Sequence, residues 1–310
     1  MKNDIAKLFS GIHGLEKYQL IDMSHPIPMY AGIDGSARYS LFIKTMTHPD
    51  PVKSSDIIDL FVGTRTKRHP CGLTFSLNDE SMLDQFVYFC EDLFESTKEV
   101  PDDDNASNII CARYLKWQKA FEITKDGLLP SNVIKGLLGE LYFLKEKMIP
   151  LFGETKAIAS WIGPDAADQD FVVDDTWYEV KSTVSGAEAV NISSVEQLDT
   201  TISGNLVVIR LDKTSPTDQM KIRLNEYYNS IMNILEEEDN KNRLSGILLN
   251  HGYYPDERYD DYCFHYNGYE IYEVNDVFPC LRAASLPPSI GKVRYALYLN
   301  GLEQYLKEKD

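Results

Sequence analysis

The sequence lacks several features that would indicate common classes of protein. Its 310 residues contain no apolar run near 18–20 residues, so we expect no membrane span and no membrane partner. The five cysteines are scattered without a Cys-x-x-Cys pair, which argues against a zinc site and for a reducing compartment. The first residues lack an apolar signal core, so a cytoplasmic location is expected. Glycine-rich phosphate loops and Gly-x-Ser-x-Gly are absent, which leaves ATPase and serine hydrolase functions without support.

Positive charge is also scarce, with 31 Lys and Arg against 48 Asp and Glu and a net charge of −17. A protein that binds DNA alone by neutralising phosphates should be basic, and this one should be repelled at long range. Binding would then depend on a local basic surface such as residues 64–69, on divalent cations, or on a partner protein. The acidity favours the partner protein.

A β-hairpin is predicted at residues 168–181. Strand-forming residues flank a polar break, Asp174-Asp175, and a two-residue loop fixes the register of the strands. The predicted facing pairs are Phe171 with Tyr178, Val172 with Trp177, Val173 with Thr176 and Asp170 with Glu179.

This register brings charged side chains together. Asp170, Glu179 and Lys181 share one face and Val180 points the other way, because side chains alternate along a strand. Two opposed carboxylates are destabilising unless something compensates them, and a hard divalent cation would do so. The ammonium of Lys181 is suited to hold a water molecule or a phosphate oxygen. Asp168, two residues before Asp170, is an alternative ligand.

An amphipathic helix is predicted before the hairpin, at residues 131–148, with Ser131 or Asn132 as its cap. Glu140 lies off its apolar stripe. Gly136 and Gly139 each cost about 1 kcal/mol of helix stability relative to Ala and indicate that something approaches the helix closely.

Two further elements are predicted after the hairpin. Ser193-Ser194-Val195-Glu196 fits a capping box and predicts a helix that contains Gln197. The apolar run at residues 206–211 predicts a buried central strand.

Helix, hairpin, helix and strand in this order resemble the core of the PD-(D/E)XK nuclease superfamily. Asp170 matches the Asp that begins one strand of its signature, and Glu179 and Lys181 match the Asp/Glu-x-Lys of the next strand. Gln169 stands where the signature has its proline, which is commonly absent. The resemblance implies a mixed central sheet flanked by helices, as in restriction endonucleases.

Within this superfamily, the chain resembles a bacterial family of PD-(D/E)XK proteins. That family is found near a Z1-type ATPase and a DNA methyltransferase in restriction-like defence loci. The resemblance covers most of the chain and is strongest at residues 128–198. The motifs that carry it include Gly139-Glu140, Trp161-Ile162-Gly163-Pro164, Asp170-Phe171, Glu179-Val180-Lys181 and Gln197-Leu198. It implies a Mg²⁺-dependent deoxyribonuclease, with Mn²⁺ as a substitute, that acts on DNA beside an ATPase or methyltransferase partner.

The same resemblance implies roles for single residues. Asp170, Glu179 and the backbone carbonyl of Val180 would hold the metal, with Glu140 as a further ligand. Lys181 would position or polarise the attacking water, and Gln197 would lie close to the metal and the DNA.

Two other functions stay open. The chain could be a non-catalytic scaffold subunit that binds DNA or a partner, which the acidity favours and the retained site residues oppose. It could also be a repair or recombination nuclease for branched DNA. Double-strand cutting often uses a symmetric dimer, so a homodimer is one expected form, although no interface signature is evident.

The expected architecture has three parts. They are an N-terminal β-rich module at residues 1–98, a nuclease core at 105–215 and a C-terminal α+β extension at 216–310. Further helices are predicted at residues 4–20, 81–94, 109–121 and 215–235. Further strands are predicted at residues 39–45, 57–63, 73–77, 247–249, 269–274 and 293–299, and loops at 23–35 and 155–167.

Overall fold

A computed structural model describes residues 2–64, 67–124, 127–162 and 168–310. Arg65 and Thr66 of the predicted basic patch lie outside the described residues, and so do Gly163 and Pro164 of the Trp-Ile-Gly-Pro motif. The chain forms two compact units, residues 1–125 and 126–310. The predicted division into three parts stays a prediction.

The first unit joins an antiparallel sheet to helices. Its strands are β1 (Lys17–Leu20), β2 (Met29–Ile33), β3 (Tyr39–Thr45), β4 (Ile58–Thr64) and β5 (Cys71–Leu77). They pair in the order β1-β2-β3-β5-β4. Its helices are α1 (Lys2–Gly11), α2 (Leu83–Ser96) and α3 (Ala106–Thr124). Trp117 is buried among the aromatic rings of this unit, as its position in a predicted helix indicates.

The second unit is a mixed α/β structure. Its helices are α4 (Ser131–Phe143), α5 (Ile149–Phe152), α6 (Glu154–Ser160), α7 (Leu224–Ile234) and α8 (Glu238–Asn250). A π-helical turn, Leu144–Met148, joins α4 to α5. Its strands are β6 (Phe171–Val173), β7 (Thr176–Thr183), β8 (Ala189–Ile192), β9 (Gly204–Lys213), β10 (Lys221–Ile222), β11 (Phe264–Val274), β12 (Tyr295–Tyr298) and β13 (Leu306–Lys309).

The main sheet of this unit is centred on β9. Its order is β10-β11-β9-β7-β6, with β13 on β11, and β7 runs parallel to β9 while β11 runs antiparallel to it. The hairpin pairs Phe171 with Tyr178, Val172 with Trp177 and Val173 with Thr176, which confirms these three predicted pairs. The predicted pair of Asp170 with Glu179 lies outside the ladder, because β6 begins at Phe171. The run at residues 206–211 is the buried part of β9, so the predicted central strand is also confirmed.

Two apolar layers cover the faces of this sheet. The helix-side core lies on one face and includes Leu137, Leu141, Val180, Val207 and Ile209. The second core, under the antiparallel pair β8–β12, includes Trp177, Val190, Ile192, Leu206, Val208 and Leu297. Successive side chains along a strand point to opposite faces of the sheet, so β7 and β9 each contribute side chains to both cores.

Several local predictions in the second unit were wrong. Residues 193–199 form a turn rather than a helix, because the carbonyls of Glu196 and Gln197 accept the Gln169 side-chain amide instead of continuing a helical ladder. Residues 247–249 belong to α8, because Leu244 and Leu248, four residues apart, both enter the helix-side core.

The helix predicted from residue 215 begins only at Leu224. Asp218 accepts hydrogen bonds from the Met220 backbone N–H and the Thr214 hydroxyl, and these local bonds favour a turn over a helix. The predicted loop at 155–167 begins with α6, and the N-cap of α4 is Pro130 rather than Ser131 or Asn132.

In the first unit the helix predicted at 4–20 ends at Gly11. The chain turns at Gly14, whose φ of 100° is in the left-handed region, and then enters β1. The loop predicted at 23–35 contains β2, which pairs with both β1 and β3.

At Gly139, helix α4 lies close against Ser182 of β7. A Cβ atom on Gly139 would overlap the Ser182 hydroxyl, whereas one on Gly136 would meet nothing within 4 Å. The expectation of close approach therefore holds at Gly139 only. The buried Ser182 hydroxyl has no hydrogen-bond partner among the described residues, so its small size matters more here than its polarity.

This geometry predicts opposite effects of alanine at the two helix glycines. Gly139→Ala should destabilise the protein by about 1–3 kcal/mol through overpacking, and Gly136→Ala should stabilise it by up to about 1 kcal/mol through helix propensity. Adding Ser182→Ala to Gly139→Ala should recover most of the loss. Urea unfolding of wild type and these three variants measures the effects. Equal stability of Gly139→Ala and Gly136→Ala would show that the Ser182 side chain rotates away from the added methyl group.

Candidate active site

Strand β7 presents charge on one face and an apolar side chain on the other. Val180 lies in the helix-side core, and Glu179 and Lys181 flank it on the opposite face of the strand. Glu179 is buried at 1% exposure, and Lys181 is 17% exposed. The alternation expected from the sequence therefore places a carboxylate in the protein interior with an ammonium group beside it.

The Glu179 carboxylate is the centre of a small polar network. Its Oε1 atom accepts hydrogen bonds from Lys181 Nζ at 2.6 Å and from Gln197 Nε2 at 2.6 Å. Gln197 Oε1 in turn accepts from Lys181 Nζ at 3.3 Å and from the Ser193 backbone N–H at 2.8 Å. Glu179 Oε2 is buried without a hydrogen-bond partner among the described residues. Within the described ranges of the chain, one carboxylate oxygen of the site is therefore left without a donor.

Asp170 lies at the start of the hairpin, next to the backbone of β7. Its Oδ2 atom accepts a 2.7 Å hydrogen bond from the Val180 backbone N–H, and its carbonyl accepts one of 3.2 Å from Ile162 N–H. Asp168 is exposed. The structure thus brings Asp170, rather than Asp168, to the strand that carries Glu179.

Glu140 reaches the same neighbourhood from helix α4. Its Oε2 atom accepts a 2.9 Å hydrogen bond from the indole Nε1–H of Trp161, and the Trp161 ring stacks on Phe171 at 5.8 Å. Trp161 also forms an isolated β-bridge with Phe171, the residue after Asp170. Trp161 therefore orients the Glu140 side chain and also the backbone next to Asp170.

Gln169 is a positioning residue that the sequence did not reveal. Its side-chain amide donates to the carbonyls of Glu196 at 2.7 Å and Gln197 at 3.3 Å, so it ties the hairpin to the turn that carries Gln197. The sequence marked Gln169 only as a departure from the proline of the signature. An amide at that position can make this link, whereas a proline side chain has no donor.

The three carboxyl groups influence one another. Burial first, and then the charge of Asp170, raises the pKa of Glu179 to about 8. Burial and the charge of Asp170 also raise the pKa of Glu140 well above its usual range. Burial raises the pKa of Asp170, although Lys181 and the Val180 N–H oppose the shift. Lys181 alone therefore does not compensate the negative charge gathered here.

The residues fit a hard divalent cation in their chemistry. Such an ion prefers carboxylate oxygens, would satisfy Glu179 Oε2 and would lower all three raised pKa values. Asp170, Glu179 and Glu140 are the side chains that would hold it, with the carbonyl of Val180 as the predicted backbone ligand. Among the described residues, however, no group of three or more His, Cys, Asp or Glu side chains is already placed to hold a metal ion.

Comparison with known protein families gives a match that extends well beyond the hairpin. The family model described as "Putative PD-(D/E)XK family member, (DUF4420)" matches residues 7–300. No curated protein and no solved structure matches the chain. The family match therefore spans both compact units. Separately, no described helix is long and apolar enough to cross a membrane.

The raised pKa of Glu179 predicts a pH-dependent effect of Glu179→Gln. A proton bound more tightly in the folded state stabilises it fully below the ordinary pKa of 4.5, and this stabilisation is lost as the pH rises towards about 8. The neutral variant should therefore gain stability over wild type between pH 5 and pH 8, on the order of 1 kcal/mol per pH unit.

Denaturant unfolding in EDTA at pH 5, 6, 7 and 8 measures this difference. Glu196→Gln, which changes an exposed glutamate on the neighbouring turn, is the control and should show little pH-dependent gain. A constant difference between Glu179→Gln and wild type would contradict the raised pKa.

Proposed function

The chain belongs to the PD-(D/E)XK family DUF4420, and from this premise we propose that it is a metal-dependent nuclease that hydrolyses phosphodiester bonds in DNA. We further propose that Mg²⁺ is its cofactor and that Mn²⁺ can replace it. The neighbouring genes of the related family suggest a role as the nuclease subunit of a restriction-like defence system, with an ATPase or methyltransferase as partner.

One observation carries the proposal above all others. Glu179 is 1% exposed, has an oxygen without a hydrogen-bond partner among the described residues, and lies beside Lys181 on the same strand face. A purely structural glutamate would be expected to have both oxygens satisfied, because an unpaired buried polar atom is costly. The arrangement is instead expected of a carboxylate that receives a cation.

The chain's own residues divide the work of such a reaction. A bound divalent cation would lower the pKa of water and stabilise the charge that develops on the scissile phosphate. Glu179 and Asp170 would provide oxygens to hold the cation, and Glu140, whose Oε2 accepts from Trp161, has its other oxygen for the same purpose. Lys181 Nζ is held by Glu179 and Gln197, so it can orient a water molecule or a phosphate oxygen at a fixed position.

A non-catalytic scaffold that binds DNA or a partner is the second candidate function. It is favoured by the net charge of −17 and by the lack of a ready-made three-ligand group among the described residues. A repair nuclease for branched DNA would use the same site residues and would differ in the DNA structure it cuts. Cleavage by the isolated protein separates the scaffold from both nucleases.

The first test compares cleavage by wild type, Lys181→Ala and Lys181→Gln on plasmid, linear, branched and single-stranded DNA with Mg²⁺, Mn²⁺ or EDTA. We expect metal-dependent cleavage that both variants reduce by about two to four orders of magnitude, as loss of a group that handles the proton or the transition-state charge commonly does. Lys156→Ala removes a lysine paired with Asp174 at the tip of the same hairpin and should leave cleavage unchanged.

Circular dichroism and thermal unfolding of each variant show whether the fold is kept. Normal cleavage by a folded Lys181→Ala variant would contradict the proposed role of Lys181 in the reaction. Absence of cleavage by wild type, alone and with the partner ATPase, would favour the scaffold.

The second test separates the two candidate aspartate ligands by calorimetric titration with Mn²⁺. Asp170→Asn should weaken binding at least tenfold, because it removes an anionic oxygen donor next to Glu179, whereas Asp168→Asn should bind as wild type does. The reverse ranking would move the metal site to Asp168.

A further inference from the structure

One stretch of this acidic chain has the opposite charge character. Residues 277–302 contain no Asp or Glu, which makes them the longest acid-free stretch of the sequence, and they include Arg282, Lys292 and Arg294. Lys292 and Arg294 are exposed, and neither forms an ion pair with any of the described residues. Their charges are therefore available to an external ligand.

The same stretch ends in a strand with a regular outward face. From Lys292 to Leu299 exposure alternates, so that Lys292, Arg294, Ala296 and Tyr298 point to solvent while Leu297 and Leu299 enter the core under β8–β12. Tyr298 belongs to β12, and Lys292 and Arg294 lie in the segment just before it. Tyr298 is 61% exposed, an unusual exposure for a large ring. The outward face therefore combines two cations and one open aromatic ring in a row.

Lys292 occupies this row through an uncommon backbone conformation. Its φ of 53° is in the left-handed region, which side chains other than Asn, Asp and Gly rarely adopt. A glycine, Gly291, stands directly before it and would adopt such a φ more readily. The backbone bends at Lys292, just before the segment that leads into β12.

The row lies next to the candidate active site. Tyr295 of β12 pairs with Ile192 of β8, so the register continued by one pair sets Arg294 beside Ser193, whose backbone N–H donates to Gln197. At the other end of the stretch, Arg282 donates to the Leu198 carbonyl at 3.2 Å and pairs with Asp199 at 3.3 Å. Arg282, in the first part of the stretch, is thus fixed to the turn that carries Gln197, and β12 begins beside Ile192, the last residue before that turn.

We propose that Lys292, Arg294 and Tyr298 form a binding surface for single-stranded nucleic acid that leads to the Glu179–Lys181 site. The two cations contact successive phosphates, and the Tyr298 ring stacks on an unpaired base. Stacking on an exposed ring requires an unpaired base, because the faces of paired bases are covered by their neighbours. This inference rests on the proposed function for the identity of the reaction, but the binding surface is testable without any reaction.

The acidity of the rest of the protein fits this assignment. Glu188 and Glu196 flank the surface at the ends of β8 and its turn, so the cations form a narrow strip rather than a wide basic face. A narrow strip suits one strand of phosphates better than a duplex, which presents phosphates on two strands.

The test measures binding of a fluorescent single-stranded oligonucleotide to the full-length protein by anisotropy, in buffer with Ca²⁺ and at several salt concentrations. Lys292→Gln/Arg294→Gln should weaken binding about tenfold or more and reduce the slope of log K against log salt by about 1.4, the value for two phosphate contacts on a single strand. Tyr298→Ala should weaken binding about tenfold and leave the salt slope unchanged.

The controls match these changes elsewhere in the protein. Lys241→Gln/Arg243→Gln removes one lysine and one arginine at the same spacing from α8, on the helix side of the sheet, and should bind as wild type does. Phe61→Ala removes another ring that is 61% exposed, and should also leave binding unchanged.

Three results would overturn the proposal. They are no binding by wild type, unchanged affinity and salt slope in the Lys292/Arg294 variant, and an equal loss in the Lys241/Arg243 control. Cleavage is scored separately, so the two proposals fail independently. If binding depends on Lys292, Arg294 and Tyr298 but no cleavage occurs, the protein is a scaffold with this binding surface. If cleavage occurs but binding is unaffected by these substitutions, the protein is a nuclease that does not use this surface.

Discussion

A carboxylate buried on a central strand is the constraint on which the second unit depends. Glu179 is inside the protein, so its carboxyl oxygens need hydrogen-bond donors, and Lys181 and Gln197 both donate to the same oxygen. Gln197 can do so only because a turn follows β8, and Gln169 at the start of the hairpin holds that turn. Local features that look unrelated in the sequence are therefore parts of one arrangement around a single side chain. The other carboxylate oxygen has no hydrogen-bond partner in the part of the chain that the structure describes.

The parts of this arrangement that sequence could predict are those set by short-range rules. A two-residue loop fixes the register of a hairpin, and the pairing of Phe171 with Tyr178 follows directly. An apolar run such as residues 206–211 needs burial on both faces, which a central strand provides. Glu140, Asp170, Glu179, Lys181 and Gln197 come into one neighbourhood as the family resemblance implied, but their catalytic and metal-binding roles stay predictions.

The parts that sequence could not predict depend on distant partners. Ser193 to Glu196 has the local pattern of a helix start, yet Gln169, more than twenty residues earlier, takes the carbonyls that a helix would use. The run at residues 247–249 was too short to show a period, and only the burial of Leu244 and Leu248 against one core makes it helical. Trp161 was noticed as part of a motif, but its hydrogen bond to Glu140 follows from the fold alone. The acid-free stretch at residues 277–302 can be read from the sequence, but its position beside the turn that carries Gln197 follows from the pairing of β12 with β8.

The π-helical turn between α4 and α5 has a consequence for how this site tolerates change. One added residue in a helical turn rotates everything beyond it by about 100°. The helix that carries Glu140 and the segment that ends at Trp161 are therefore out of phase with a continuous α-helix, and Pro150, just after the turn, reinforces the break. Gly153, whose φ is 77°, then redirects the chain between α5 and α6, and Trp161 follows α6 and donates to Glu140. A single-residue deletion within Leu144–Met148 would rotate α5 relative to α4 and so change the path of the chain towards Trp161, which makes the length of this turn as much a property of the site as the identity of its side chains.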